Sequence, residues 1–219
     1  MSKIRHLLFD CDGVLVDTEY VAAVKMTRAL QNLDVDISVD YYLKNFSGTT
    51  FSSIVRHYFS DLSEEEVFKI VDGVEDQVAA ETKLIEGVDK MLDKLYIDKS
   101  VVSNSSLKTV KNALKVVGIA DYFSAKVYSS ELVAHPKPAP DIYLYACKSI
   151  GVEPSEILVI EDSISGAKAA LAAGLQVIGF VGGSHILPGH DQKLLALGVD
   201  AITNNTQELQ SIIQTLIKE

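Results

Sequence analysis

Three apolar residues in a row, Leu7-Leu8-Phe9, run straight into Asp10-Cys11-Asp12-Gly13. Successive side chains of a strand point to opposite faces, so an unbroken apolar run asks for burial on both. That is the condition of a parallel sheet covered by helices. The abrupt change to acids and glycine then marks the carboxyl end of the strand, where ligands sit in such sheets.

The rest of the chain divides in two. Residues 18–84 carry helical periods only. A first helix is expected over 21–33. Val39, Tyr42, Leu43 and Phe46 follow a Ser38 cap, and Phe51, Ile54, Val55 and Tyr58 follow Thr50. Val67, Ile70, Val71, Val74 and Val78 follow Ser63, with Glu66 completing a capping box. Four amphipathic helices joined by short loops make a small bundle. Residues 85–219 alternate instead. Helices are expected at 88–95, 107–117 and 141–151, at an alanine-rich stretch ending at Gly174, and around Leu209, Ile212, Ile213 and Leu216. Strands are expected at 100–102, near Lys126-Val127-Tyr128, at 157–160 and at 177–180. The fold class is therefore α/β, a Rossmann-like doubly wound parallel sheet with an inserted four-helix cap. Residues 1–17 and 85–219 form the core and residues 18–84 the cap.

Composition bounds the partners. The chain of 219 residues carries 20 Lys+Arg against 30 Asp+Glu, a net charge of −10. That disfavours a broad nucleic-acid face, which needs clustered cations. No segment reaches the ~18 apolar residues of a membrane span, and the N-terminal apolar run is too short for a secretory signal. Two cysteines, Cys11 and Cys147, far apart in sequence, suit a reducing cytoplasm.

The strand ends hold the chemistry. Asp10 and Asp12 follow the first strand, Ser103-Asn104-Ser105 the second, and Glu161-Asp162-Ser163 the fourth. Lys137 stands between prolines after the third. Taken singly, an acid after a strand is as often a cap or turn former, Ser-Asn-Ser is a turn, and a lysine is usually solvated. Together, acids converging on one edge repel each other unless a cation neutralises them. Hard oxygen ligands suit Mg²⁺, which takes a few carboxylates, waters and substrate phosphate.

These residues resemble the haloacid dehalogenase-like hydrolases. Residues 10–19 match DxDGxxxDxE at every fixed position. Ser103, Lys137 in HPKPAPD, and Glu161-Asp162 supply the remaining motifs in order along the whole chain. The resemblance implies a metal-dependent phosphatase. Asp10 would be the nucleophile that forms an aspartyl-phosphate, and Asp12 the general acid and base. Mg²⁺ would be held by the Asp10 side chain, the Asp12 carbonyl and Asp162, with Glu161 either a further ligand or a partner orienting one. Lys137 would bridge Asp10 and a phosphoryl oxygen, and Ser103 with the Asn104 amide would bind others. Cap residues Gly48 and Thr49 would contact the substrate, with Arg56 or Arg28 as candidate anchors for a second anion.

The expected partner is a small phosphorylated metabolite, foremost a sugar phosphate. No nucleic acid or membrane partner is expected, and the chain is expected to be a monomer or weak homodimer. The likeness extends to sugar-phosphate phosphatases of the 6-phosphogluconate phosphatase type. A β-phosphoglucomutase-like mutase is the alternative. That group places a histidine on the first cap helix and an arginine just after the cap glycine loop. Tyr20-Val21-Ala22-Ala23 has no histidine, and no arginine follows Gly48 until Arg56. A catalytically silent binding protein on the same scaffold would be marked by loss of Asp10, Lys137 or Asp162, and none is lost. His185, in Gly182-Gly183-Ser184-His185 after a strand, reads as part of a surface turn near the edge of the site.

Overall fold

A computed structural model describes residues 3–123 and 127–218. The strands are β1 (His6–Phe9), β2 (Asp98–Ser103), β3 (Val127–Ser129), β4 (Ile157–Glu161), β5 (Gln176–Phe180) and β6 (Ala201–Thr203). They form one all-parallel sheet in the order β3-β2-β1-β4-β5-β6. The chain runs outward from β1 through β2 to β3, then returns to β4 on the other side of β1. The carboxyl ends of β1 and β4 therefore flank the point where strand order reverses, where α/β sheets bind ligands.

Alternation along the strands sends side chains into two separate cores. Leu7, Phe9, Val101, Leu158 and Ile160 pack on one face. They meet α5 (Val88–Lys94), α6 (Leu107–Val116) and α10 (Thr206–Lys218) through Met91, Leu114 and Ile213. Leu8, Val102, Val159 and Val177 pack on the other. They meet α7 (Asp141–Ile150), α8 (Ile164–Ala172) and α9 (His190–Leu197) through Ile142, Ala167 and Leu194. The expected strand near 126–128 begins at Val127; Lys126 lies outside the described residues. One strand and one helix, β6 and α9, escape the sequence pattern. β6 has three residues, and Leu194 is the only buried residue of α9, so neither repeats long enough to show a period.

Between β1 and β2 stand α1 (Glu19–Gln31), α2 (Val39–Phe46), α3 (Phe51–Tyr58) and α4 (Glu64–Ala80). They share an apolar cluster of their own, including Met26, Leu30, Tyr42, Ile54, Val55, Val67 and Val74. Ser38, Thr50 and Ser63 each cap a helix with the side chain, and Ser63 with Glu66 closes the capping box. α1 starts and ends two residues earlier than its periodicity suggests. Glu19 sits favourably in its first turn, and the chain turns at Asp34, whose φ is 61°. The two connections to the bundle run side by side: Asp17 N donates to Lys83 O at 2.8 Å and Ile85 N to Leu15 O at 3.1 Å.

Candidate active site

Asp10 follows β1 directly, and its N–H donates to Ile160 O at 2.9 Å. That bond extends the β1–β4 register and brings Asp10 level with the end of β4. Asp10, Glu161 and Asp162 are all buried, each with an oxygen within 4.8 Å of the others. Lys137 enters from the loop before α7, its side chain 3% exposed. Its ammonium donates to Asp10 Oδ1 at 2.6 Å, Glu161 Oε1 at 2.6 Å and Val102 O at 2.8 Å. Three donors thus meet three acceptors, which makes a lysine without water tolerable.

Glu161 is committed to this scaffold. Tyr143 OH donates to its Oε1 at 3.0 Å, and Ser163 N and Oγ each donate to its Oε2 at 3.1 Å. A Cβ on Gly166 would stand 1.7 Å from Oε1, so α8 passes the carboxylate at glycine distance. Gly13 has φ +81° and a similar constraint: a Cβ there would lie 2.0 Å from Asp162 Oδ2.

Burial raises the carboxyls of Asp10 and Asp162 well above the usual range; Lys137 pulls both down, and neighbouring acids push them further up. Burial alone would lower Lys137, but Asp10 and Glu161 outweigh it and hold the ammonium well above the ordinary lysine value. Burial pushes the Cys11 thiol up as well, and its side chain packs in the core, which disqualifies it as a nucleophile.

Asp12 projects into the cleft above Asp10. Thr18 Oγ1 donates to its Oδ1, and Ser105 Oγ donates to its Oδ2 at 3.0 Å, with Ser103 Oγ at 3.5 Å. Asn104 uses its side chain structurally. Oδ1 accepts from Lys137 N at 2.9 Å, and Nδ2 donates to Lys137 O at 3.1 Å and Gly48 O at 3.0 Å. It ties the lysine loop to the bundle.

His185 corrects the surface-turn reading. It is buried, with Nε2 2.8 Å from Asp162 Oδ2 and a buried Nδ1 that has no hydrogen-bond partner among the described residues. Burial holds its imidazole below the ordinary value. Ser184 N and Oγ donate to Asp17 Oδ1, pinning this loop beside the site. His190 Nε2 lies 2.6 Å from Asp162 O. Glycines before a histidine were the one available signal, and they do not specify a contact with an acid far earlier in the chain.

Above these residues lies a cleft of about 380 Å³ between sheet edge and bundle. Asp10, Asp12, Ser103, Asn104, Lys137 and Asp162 line it, with Gly48 and Thr49 from the bundle. Phe51, Phe68, Glu75, Lys108 and Glu131, not anticipated as cleft residues, line it too, as does Glu19 at the exit to the bundle. Burial raises Glu19 to about 8, with His185 opposing. Arg56 and Arg28 are not among the lining residues; Arg56 pairs with Glu64 at 2.6 Å.

The donor set fits a hard divalent cation. It is all oxygen, buried and negative. Among the described residues, Asp10 Oδ2 and Asp162 Oδ1 have no side-chain donor, whereas both Glu161 oxygens do.

An aspartate, a lysine and paired acids, all buried, thus meet at the switch point of a parallel sheet. Residues 7–180 match the haloacid dehalogenase-like hydrolase family, and the chain belongs to it. Among its relatives, 6-phosphogluconate phosphatase of Escherichia coli is 26% identical over 86% of this chain and 87% of its own. Hexitol phosphatase A of the same organism is 27% identical over 80% and 82%. A solved haloacid dehalogenase-like protein of unknown function from Agrobacterium tumefaciens superposes with a TM-score of 0.81 at 35% identity, covering 97% of this chain and 99% of that one.

Proposed function

We propose that the chain is a Mg²⁺-dependent phosphatase of a small phosphorylated metabolite, a sugar phosphate by class, working through an aspartyl-phosphate on Asp10. The observation that carries this is the Lys137–Asp10 contact of 2.6 Å inside a cluster of three buried carboxylates. Lys137 and a bound Mg²⁺ would hold Asp10 ionised against the burial that raises it; an ionised carboxylate there is a ready oxygen nucleophile, and the ammonium also meets the charge gathering on the phosphoryl group.

In the first step an Asp10 oxygen bonds to phosphorus, the ester P–O bond breaks, and Asp12 gives its proton to the leaving alkoxide. In the second, Asp12 takes a proton from water as the water oxygen attacks phosphorus, releasing phosphate and restoring Asp10. Thr18 and Ser105 hold Asp12 in place for both. Asp10, Asp162 and the Asp12 carbonyl would hold Mg²⁺, which supplies charge neutralisation between the carboxylate and the phosphate dianion. Glu161, with both oxygens occupied, suits an orienting role rather than a ligand's.

Residues 18–84 act as the cap over a core of 1–17 and 85–219, with Gly48 and Thr49 on the substrate and closure excluding water. The names of the relatives support small phosphorylated substrates. The two cysteines, both unpaired and buried, suit a cytoplasmic setting. No helix among the described residues is long and apolar enough to cross a membrane.

The test is phosphate release from p-nitrophenyl phosphate and a metabolite panel with Mg²⁺. Turnover abolished by chelation and by Asp10→Asn supports the proposal. No turnover with any ester returns the chain to the binding-protein reading, and exchange between the C1 and C6 phosphates of glucose without phosphate release installs the mutase.

A further inference from the structure

Much of the cleft lining is acidic, and among the described residues it holds no uncommitted cation. Asp72, Glu75 and Glu131 line it as well as Glu19 and the catalytic aspartates, and among the described residues Lys108 and Lys137 are its only lysines or arginines. Lys137 is held by Asp10 and Glu161. Lys108 is held by Asp72 at 3.1 Å and Asp76 at 3.3 Å. Glu75 reaches down from α4, and its Oε2 accepts from Ser106 Oγ at 3.0 Å and from Thr109 Oγ1. Its Oε1 has no partner among the described residues. Tyr42, Phe51, Phe68 and Val71 fill the wall between these acids.

We infer that Glu75 selects the charge of the leaving group: the cleft accepts phosphomonoesters of uncharged or amino-bearing alcohols and turns away those with a second acid group. The inference rests on the phosphatase reading. A phosphoryl group placed on Asp10 meets Lys137. A second carboxylate or phosphate, placed on the leaving group, meets Glu75 and Glu131 in a partly desolvated cleft with no cation to offset the repulsion. Hydroxyls and ammonium groups find acceptors in the same place.

Two matched pairs test this with Mg²⁺ present: sorbitol 6-phosphate against 6-phosphogluconate, and glycerol 3-phosphate against 3-phosphoglycerate, taking the pair turned over faster. p-Nitrophenyl phosphate is the reference. The neutral ester should exceed the acidic one in kcat/KM by about tenfold or more, the scale of one unfavourable charge contact. Glu75→Gln should shrink that ratio about threefold or more. Thr109→Val keeps the charge and removes one contact, so the ratio should hold. In the wild type the ratio should shrink as salt rises, a readout independent of any variant. Equal rates within a pair, an unchanged ratio in Glu75→Gln, or the same loss of ratio in Thr109→Val overturns the inference. Failure on p-nitrophenyl phosphate itself removes the underlying phosphatase reading, a separate result.

Discussion

Lys137 Nζ lies 2.6 Å from Glu161 Oε1, so the lysine is anchored by the neighbouring strand as well as by the aspartate it serves. Tyr143 and Ser163 hold the far side of that carboxylate. The geometry of Asp10, the proposed nucleophile, therefore depends on a residue that need not touch substrate. Glu161→Gln should cost about 1–3 kcal/mol of stability: Lys137 keeps Asp10 as its partner, but the Lys137, Tyr143 and Ser163 donors lose a charged acceptor. Chemical denaturation measures it, and a loss under about 1 kcal/mol would mean the pair carries little.

Asp12→Asn should keep the fold and the cation while losing proton transfer. kcat should fall by roughly 10²–10⁴-fold. Calorimetric titration with Mg²⁺ should give an affinity close to wild type, since the proposed contact from residue 12 is its main-chain carbonyl. Full activity in the variant would move the acid–base role elsewhere.

Mg²⁺ should raise Tm by neutralising Asp10 and Asp162, whose carboxyls burial disfavours as anions. At a hundredfold excess over Kd, about 2.7 kcal/mol is expected. Asp162→Asn should abolish most of the rise. A Tm indifferent to Mg²⁺ in the wild type would argue against a cation site at Asp10 and Asp162.

Glu19 gives a pH dependence with a definite sign. Its folded pKa is about 8, against 4.5 as the reference. Between those values the native state binds more protons than the unfolded chain, so stability from this group falls as pH rises. Glu19→Gln removes the fall. In metal-free protein the variant and wild type should match near the acid end of that window. The variant should melt higher at the alkaline end, by about 2–4 °C for each kcal/mol recovered. A parallel pair of Tm–pH curves would rule this out.

Gly166→Ala should be poorly tolerated despite alanine's better helix propensity. The added carbon would sit 1.7 Å from Glu161 Oε1 and displace the carboxylate from Lys137. Loss of activity with little loss of helix in circular dichroism is the expected pattern. An unaffected enzyme would show that α8 can retreat.

Much of this protein is written locally. The capped helices at Ser38, Thr50 and Ser63, and the twofold burial of Leu7, Leu8 and Phe9, follow from periods of 3.6 and 2 that any short window reveals. The acids and lysine at the strand ends were legible for the same reason. A parallel sheet delivers every carboxyl end to one edge, so Asp10, Lys137 and Asp162 converge once the strands are recognised.

Contacts between elements carry no such period. His185 beside Asp162, Asn104 bonded to Gly48, and Glu75 lowered onto Ser106 and Thr109 depend on how the bundle and loops seat on the sheet. Arg56, a plausible anchor in sequence, is turned to Glu64 by α3 and the start of α4. The chain by itself determined which chemical groups reach the edge. The tertiary structure decided what surrounds the cleft, because that is set by packing between segments whose separation no local pattern encodes.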